Sequence, residues 1–575
     1  MSASKKFVAL PMIFLALATS FVAASSTTTA QAETSIDEQF QVTPPPGVGY
    51  TGYLVNNTRS LVRFGSFLAT FKIANEKISA MRSCDSLANC PKDFDAQVAD
   101  LNLLLCDKVG QLDCISGLST TNTKTGEISN EFKARLKETR EFTTRVIGDA
   151  TKGLPAGGNP QVVSIPSAPH AGGDLYLIKS DYFASRRSSS EPFKLAQLTN
   201  GIYPITIERG KFQRGGANLD PKAYVGQDAA SGGAPKPPYL SGINADPRCL
   251  MATQTLCIVP QAFPENISFG LKLKLSQGFN GWLYGRLANP AVSITAASGN
   301  SKTVEVSISA EPVKVPVPFG WVKNSDLPSE LLSKYERNRG GGIYAGQDRN
   351  GPLENISILK GQSNNYSDEG IVEFISWMPK LGDKSSAIPS QWSFQTLDLG
   401  SNTAAVLSRC TQSVKSLAGL IFTNASVFSS GAPTFDSSTG SLDYKVAAPH
   451  LKTDGIETTS GTYDLVLNSE VARCIYGFTK APVSASISIE NSSGDNKIAT
   501  TTVTEENGFL RLAAYGFGFS APKIKIKLTQ DQAVESTDAS KTTTAIKKIT
   551  CKSGNKTRSV SGATPKCPTG WTLKK

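Results

Sequence analysis

Alternating apolar and polar residues between positions 269 and 318 constrain the fold of this chain more than any other feature of its sequence. The run FGLKLKL places Phe269, Leu271 and Leu273 at every second position, and the run TVEVSIS repeats the pattern with Val304 and Val306. Successive side chains of a strand point to opposite faces, so each run presents one apolar row and one polar row. The pattern predicts a half-buried antiparallel sheet.

The same alternation returns near the end of the chain, where Ile524, Ile526 and Leu528 alternate with lysines. Short strands separated by turn residues favour sandwiches over a parallel α/β fold. We therefore predict a mainly β protein built of antiparallel β-sandwich domains. A small N-terminal α/β disulfide-containing portion and a C-terminal β-hairpin module complete the predicted fold class.

Helices are predicted only in the N-terminal portion, where apolar residues recur at intervals of three and four. The segment 130–147 also carries the i,i+4 pairs Glu131–Arg135 and Glu141–Arg145, which support a helix. The apolar stripes that predict the other helices are Leu61, Phe64, Leu68 and Phe71, and Phe94, Val98 and Leu101.

A chain of 575 residues exceeds what one hydrophobic core normally organises, so several domains are expected. Composition changes suggest where they divide. The predicted division is a signal peptide at 1–32, a partly helical disulfide-containing region at 33–160, β domains at 161–325 and 326–530, and a linker with a basic disulfide hairpin at 531–575.

The first 32 residues have the composition of a secretory signal peptide. Lys5 and Lys6 precede an apolar stretch, and Ala30-Gln31-Ala32 forms a small-residue cleavage site. We therefore expect a secreted protein that is extracellular or associated with the cell surface. No later run is apolar and uncharged for the width of a bilayer, so no transmembrane segment is expected in the mature chain.

Ten cysteines in a chain expected to be exported predict five disulfides. Metal binding is the competing interpretation, but the sequence has no C-x-x-C motif and only two histidines, so neither a zinc site nor another cofactor is expected. Neighbouring positions suggest the pairs Cys84–Cys90, Cys106–Cys114, Cys249–Cys257, Cys410–Cys474 and Cys551–Cys567, although sequence does not fix connectivity.

The positive charge is concentrated at the C-terminus. The net charge is +11, and from Gln532 onward nine lysines and arginines face only Glu535 and Asp538. A localised charge does not make a broad nucleic-acid-binding face, so no nucleic-acid partner is expected. Anionic cell-wall polymers, lipid headgroups and other surface proteins are the candidate partners, and a merely solubilising terminus is the alternative. The candidate surface-binding residues are Lys547, Lys548, Lys552, Lys556, Arg558, Lys566, Trp571, Lys574 and Lys575.

A second candidate site is the alternate-residue set Trp282, Tyr284 and Arg286, which share one face of a predicted strand. Exposed, they would form an aromatic and cationic platform for a sugar or peptide. Buried, they would belong to the core, as large aromatic residues usually do. Trp377 and Trp392 allow the same two interpretations.

No arrangement of residues indicates catalysis. His170 and His450 each follow a proline, and no G-x-S-x-G motif provides a serine nucleophile. Carboxylates that could hydrolyse a polysaccharide, if paired across a groove, are Asp348, Glu354, Glu373 and Asp383. Asp348 and Glu354 also flank an Asn-Gly turn that could hold Ca²⁺, although a plain turn explains the sequence.

Several segments carry a resemblance. ITCKSGNKTRSVSGATPKCPTGW (549–571) resembles a short Cys- and Lys-rich terminal module of exported actinobacterial proteins. GWLYGRLANP (281–290), VKVPV (313–317), WMPKLGDKSSAIPSQWSF (377–394) and RCIYGFTKAP (473–482) are similar to parts of uncharacterised secreted proteins from the same bacteria. The resemblance implies export and no particular activity.

Together these features favour an exported, non-catalytic, envelope-associated structural or binding protein, held at the cell surface by a basic C-terminal module. A secreted carboxylate-dependent hydrolase acting on polysaccharide is the alternative. A β-stranded pore is disfavoured because long loops interrupt the predicted strands.

Overall fold

The structure, a computed structural model, describes most of the chain outside its first 37 residues. The described residues are 38, 43, 45–55, 66–75, 77–135, 145–210, 250–252, 255–276, 281–296, 303–337, 342–345, 352–361, 368–396, 410, 417–429, 431–477, 483–490, 496–498, 500–519, 523–530, 547–554, 556–562 and 565–574. The predicted signal peptide and cleavage site lie outside them.

Strands dominate the described chain. Those of its first part, numbered in chain order, are β1 Tyr50–Leu54, β2 Phe67–Ala74, β3 Lys77–Cys84, β4 Ala96–Leu103, β5 Cys114–Asn122, β6 Ile128–Ser129, β7 Lys133–Ala134, β8 Gly157–Gly158, β9 Gln161–Ser164, β10 Leu175–Arg186, β11 Lys194–Arg209, β12 Met251–Ala252, β13 Leu256–Pro260, β14 Ile267–Leu275, β15 Gly281–Ala296, β16 Val304–Lys314 and β17 Phe319–Lys323.

The remaining strands are β18 Gly342–Ala345, β19 Ser357–Gly361, β20 Ser390–Thr396, β21 Leu417–Thr423, β22 Val427–Phe428, β23 Thr434–Asp436, β24 Ser441–Ala447, β25 Ser460–Asn468, β26 Val483–Glu490, β27 Asn496–Ile498, β28 Thr500–Glu506, β29 Phe509–Gly518, β30 Lys523–Gln530, β31 Lys547–Ser553, β32 Lys556–Gly562 and β33 Thr572–Leu573. The protein is mainly β, as its sequence predicts.

Helices in the described residues are few and short. The helix at Ser469–Tyr476 shows how capping residues set its ends. The Asn468 side chain accepts hydrogen bonds from Glu470 N and Val471 N at its start, and Gly477 ends it with a φ of 67°. The α-helices are α1 Ser329–Arg337, α2 Asp368–Trp377 and α3 Ser469–Tyr476, and the 3₁₀ turns are Ala150–Lys152, Asn324–Asp326, Leu353–Asn355 and Met378–Leu381.

One long sheet joins distant parts of the chain. Its strands pair in the order β3, β2, β4, β10, β11, β20, β15, β21, β25, β29 and β28. Every pair is antiparallel except β15 with β21. Short strands extend it: β9 pairs with β10, β7 with β9, β8 with β4, and β13 with the second half of β11. We call this the main sheet.

A second sheet branches from strand β15. The first part of β15 pairs with β20 through Arg286, and from Leu287 the strand pairs with β16. The register shifts between Ala288 and Ala291, and Asn289 in that interval has a φ of 51°. A bulge of this kind bends a strand and lets it pass from one sheet into another. The second sheet therefore runs β15, β16, β14, β5 and β6.

Three smaller sheets complete the described part of the fold. The third sheet runs β22, β24, β30, β26 and β27, with β23 also on β24. A fourth contains β17, β1, β19 and β18, in which β1 and β19 are parallel. The fifth is the C-terminal sheet β32, β31 and β33.

The two largest hydrophobic cores of the described chain lie against the main sheet. In the first core, Tyr176 of the main sheet contacts Phe269 of the second sheet, with ring centroids 5.4 Å apart. In the second core, Tyr463 of the main sheet contacts Tyr444 of the third sheet, with centroids 5.5 Å apart. Each core joins two β-sheets, an arrangement consistent with the predicted sandwiches.

Strand β15 contributes to both cores through its alternating faces. Leu283 and Leu287 belong to the first core, whereas Trp282 and Tyr284 belong to the second. The half-buried sheet predicted over residues 269–318 is confirmed by β14, β15 and β16. The central part of β15 is buried on both sides rather than on one.

Two helices predicted in the N-terminal portion are wrong. Leu68 and Phe71 lie in strand β2, and Val98 and Leu101 lie in strand β4. Both strands bury consecutive residues, so the period of two is lost and apolar residues recur at helix-like intervals. Leu61 and Phe64 lie outside the described residues, as do positions 136–144 of the third predicted helix, 130–147. The described parts of that segment are not helical, and Lys133–Ala134 form strand β7, so this helix is wrong there as well.

Strand pairings cross the predicted boundary between 161–325 and 326–530. Strand β15 pairs with β20 and β21, which belong to the second of these ranges. The main sheet also includes β2 and β4 from the range 33–160. The proposed division into folding units remains a prediction, but hydrogen bonds link its parts.

Candidate functional site

The C-terminal residues form a small three-stranded sheet, here called the C-terminal module (residues 547–574). Strands β31 and β32 are antiparallel and in register from Lys547 opposite Gly562 to Ser553 opposite Lys556. Gly554 occupies the turn with a φ of 60°, a conformation that glycine adopts without steric cost. Strand β33 pairs on the other edge of β31. The hairpin predicted from the sequence is confirmed.

A disulfide holds this module together. Cys551 and Cys567 are bonded with their Cα atoms 5.7 Å apart, and Cys551 is completely buried. Among the described residues, the apolar side chains that accompany it on the same face are the half-buried Ile549 and Val560 and the exposed Leu573. A sheet this small buries too little apolar surface to be stable alone, so a covalent link has a clear physical role.

The module displays its positive charge to solvent. Side chains that are exposed belong to Lys548, Lys552, Lys556, Lys566 and Lys574. Trp571 and Arg558 are half-buried. The Lys547 side chain and the whole of Lys575 lie outside the described residues. Five of the predicted surface-binding residues are therefore accessible to a partner.

The other face of the module is turned toward the main sheet. Strand β32 lies beside strand β28, and the half-buried Arg558 is close enough to Arg511 for that charge to act on it. Burial, together with the Arg511 charge, lowers the pKa of Arg558 below its ordinary value. One arginine of the basic tail thus belongs to the contact with the body of the protein.

Beneath this contact lies a buried polar network. Arg511 donates to Asp464 Oδ1 from Nε and Nη2 at 3.0 and 2.7 Å, and the Tyr515 hydroxyl donates to Asp464 Oδ2 at 2.6 Å. Arg511 Nη2 also donates to Asn289 Oδ1 at 2.9 Å. Burial raises the pKa of Tyr515, and the Asp464 charge raises it further. The oxygen acceptors of the network, on Asp464 and Asn289, all receive hydrogen bonds from within the protein. We therefore interpret the network as structural.

The exposed-platform interpretation of Trp282, Tyr284 and Arg286 is wrong. All three are buried, with exposed fractions of 1%, 8% and 3%. Arg286 donates to the carbonyl oxygens of Thr423 at 2.9 Å and Ala425, and its guanidinium lies 4.8 Å from the ring centroid of Phe428. The third sheet covers this face of β15, which is why it is core rather than surface.

The other two candidate tryptophans are also buried. Trp377 stacks on Tyr53 with centroids 4.9 Å apart, and Trp392 Nε1 donates to the Ala310 carbonyl oxygen at 3.0 Å. Their core interpretation is confirmed.

Four of the five predicted disulfides are present. Cys84–Cys90, Cys106–Cys114, Cys410–Cys474 and Cys551–Cys567 have Cα separations of 5.2, 5.1, 5.6 and 5.7 Å. Cys257 is also disulfide-bonded, and its predicted partner Cys249 lies outside the described residues. Cys410–Cys474 ties helix α3 to a segment 64 residues earlier.

His170 is a structural residue. Its Nδ1 accepts a hydrogen bond from Gly172 N at 3.1 Å, and its Nε2 lies 3.0 Å from the Leu175 carbonyl oxygen. This pattern requires the neutral imidazole with the proton on Nε2. Burial lowers the pKa of His170, in agreement with that state.

The candidate carboxylates occupy different local structures. Glu354 is exposed in a 3₁₀ turn and Glu373 is half-buried on α2. Asp383 accepts a hydrogen bond from His450 N at 2.9 Å, and Asp348 lies outside the described residues. Within the described ranges, acidic, histidine and cysteine side chains form no cluster of three or more that could hold a metal ion.

A buried ion pair on strand β10 was not predicted from the sequence. Lys179 Nζ lies 2.7 Å from Asp181 Oδ2 on strand β10, and both side chains are almost fully buried. They are two residues apart and so share one face of the strand. The only signal was a Lys-Ser-Asp triplet within an otherwise apolar run, and the same triplet is compatible with a turn.

No protein-family model matches the chain, and a search of curated proteins finds no similar sequence. Among the helices that the structure describes, none has the length and hydropathy needed to cross a bilayer. The fold and the module define a disulfide-stapled, mainly β protein with a basic C-terminal hairpin.

Proposed function

We propose that this protein is an exported, non-catalytic, envelope-associated structural or binding protein, held at the cell surface by its C-terminal module. One observation carries the proposal: five exposed lysines project from a small three-stranded module that a disulfide holds together. A folded basic module presents its charges at fixed positions, which an unstructured tail does not do.

The electrostatics favour a polyanionic partner. From Gln532 onward the chain carries nine basic residues against two acidic ones. Each lysine near an anionic surface contributes roughly 1 kcal/mol, and the attraction falls off within about 8 Å at physiological salt. Several such weak contacts together would hold the protein on an anionic surface, and added salt would release it. Anionic cell-wall polymers and lipid headgroups both provide the required charge.

Two features support export: the disulfides and the signal-peptide-like sequence of residues 1–32. Disulfides persist in oxidising environments and are rare in the cytosol of ordinary bacteria. Four of them form between residues close in space, and the sequence begins with the features of a signal peptide. Both features are typical of extracellular and cell-surface proteins.

The proposal is tested by sedimentation with isolated bacterial cell walls at increasing salt. The full mature chain and a chain ending at Gln530, the last residue of β30, are compared at equal concentration. We expect the full chain to sediment with the walls at low salt and to be released as salt increases. Equal sedimentation of both chains at low salt would reject the role of the module.

A further inference from the structure

The two faces of the C-terminal module differ in chemistry. Residues directly opposite each other on paired strands share a face. Lys552 therefore shares its face with Thr557 on β32 and Thr572 on β33, its partners in the register. The opposite face contains Cys551 and Arg558, which pair with each other and lie toward the protein.

The face of Lys552, here called the outer face, is entirely polar among the described residues. Lys574 belongs to it because its N–H donates to the Thr550 carbonyl oxygen at 2.7 Å, and Thr550 lies two residues from Lys552. All of its side chains are exposed except that of Thr550, which is half-buried. The outer face consists of Lys548, Thr550, Lys552, Thr557, Ser559, Ser561, Thr572 and Lys574.

We propose that the outer face binds an extended acidic polysaccharide; the inference rests on the proposed function and names its partner. The outer face combines lysine ammonium groups with threonine and serine hydroxyls. The ammonium groups can pair with the carboxylates of an acidic polysaccharide, and the hydroxyls can form hydrogen bonds with its hydroxyl groups. Lys548 and Lys552 are four residues apart on one strand, roughly 13 Å along its axis. This spacing is suited to successive charges on an extended chain.

A lipid surface is the weaker match. Proteins that bind at a bilayer interface insert Trp, Phe or Leu side chains beside their basic residues. The exposed Leu573 pairs with Cys551 and therefore lies on the opposite face. Among the described residues, the outer face offers lysine, threonine and serine only, so its contacts are electrostatic and hydrogen-bonding.

The test measures binding of the full mature chain to polygalacturonate and to vesicles containing phosphatidylglycerol. The double variant Lys552→Gln with Lys574→Gln removes two charges from the outer face. Lys556→Gln with Lys566→Gln is the control with the same charge change, because Lys556 pairs with Ser553 on the other face and Lys566 lies on none of the module's three strands. We expect the first pair to weaken polygalacturonate binding about thirtyfold and the control by less than about threefold.

A second arm tests the hydroxyls without changing charge. Thr557→Val with Ser559→Ala preserves size and exposure but removes two hydrogen-bonding groups, and we expect about tenfold weaker polygalacturonate binding. An intact Cys551–Cys567 bond, verified by peptide mapping of each variant, shows that the module remains folded.

The outcomes are separable. Equal losses in the two charge pairs would overturn the outer face as the binding surface and leave the proposed function standing. Tighter binding to vesicles, unaffected by the hydroxyl variant, would overturn the polysaccharide assignment. Unchanged binding of a chain ending at Gln530 to both probes would reject the proposed function itself.

Discussion

The Asp464 carboxylate and the Arg511 guanidinium, on adjacent strands β25 and β29, are joined by hydrogen bonds of 3.0 and 2.7 Å where the C-terminal module meets the main sheet. Asp464 is completely buried and Arg511 is mostly so. Arg558 of the module adds a second guanidinium nearby. The carboxylate therefore offsets part of the positive charge at the junction between module and body.

Replacing Asp464 by Ala should strongly destabilise the protein. Removing one partner of a buried ion pair leaves the other uncompensated and typically costs about 3–5 kcal/mol. Here Arg511 would lose two hydrogen bonds, and the Tyr515 hydroxyl would lose the shorter of its two, that to Asp464 Oδ2. The measurement is the free energy of unfolding from denaturant titration. A double variant that also carries Arg511→Met should recover part of the loss, and equal stability of the single variant and wild type would contradict the interpretation.

Trp282→Ala should also destabilise the protein, by about 3–5 kcal/mol, because the ring is part of the second core. Trp282→Phe should cost much less, since it retains an aromatic ring and removes an indole N–H that has no hydrogen-bond partner among the described residues. An exposed ligand platform would instead tolerate both changes to within about 0.5 kcal/mol. Thermal and denaturant unfolding distinguish the two cases.

Replacing both Cys551 and Cys567 by Ser should unfold the module before the body. Closing a loop of this size is worth roughly 3 kcal/mol, which a sheet with so small a core does not recover elsewhere. The measurement is limited proteolysis, read as the rate of cleavage after Gln530. The matched control replaces Cys84 and Cys90, whose loss should leave that rate unchanged. Equal cleavage rates for wild type and the Cys551/Cys567 variant would show that the staple is dispensable.

Stability should increase with pH through the range in which His170 titrates. Its pKa is lowered from the ordinary value of 6.5 by burial, so the unfolded chain takes up a proton that the folded chain resists. The stabilising contribution is fully present above the unfolded pKa and is lost as pH falls toward the folded one. Unfolding free energies measured between about pH 5 and 7.5 should show this slope.

His170→Gln should flatten that slope, whereas His450→Gln should retain it because His170 is still present. A slope of the opposite sign, or one unaffected by His170→Gln, would contradict the hydrogen-bonding pattern described for this residue.

The sequence predicted strands well where one face is buried and the other is solvated. Ile524, Ile526 and Leu528 alternate with lysines because only one side of β30 faces the second core. In β2 and β4, by contrast, neighbouring residues are buried on both faces, so no period of two was visible and Leu68 and Leu101 suggested helices. Burial on both faces depends on distant strands, which local sequence does not reveal.

The candidate site divides in the same way. Its disulfide hairpin was predictable because cysteines, lysines and a Ser-Gly-Asn turn lie within a short segment. The inward position of Arg558 could not be predicted, because its neighbours Arg511 and Tyr515 belong to a strand far earlier in the chain. Likewise Trp282, Tyr284 and Arg286 share a face as predicted, but the sheet that covers it is formed by later residues.

Attachment through the C-terminal module is tested most directly by the distribution of the protein between envelope and medium in an expressing bacterium, measured for the full chain and for one ending at Gln530. We expect the full chain to remain with the envelope and to be released by salt, whereas the shortened chain, folded and equally expressed, should appear in the medium. Retention of both chains to the same extent in the envelope would contradict attachment through the module.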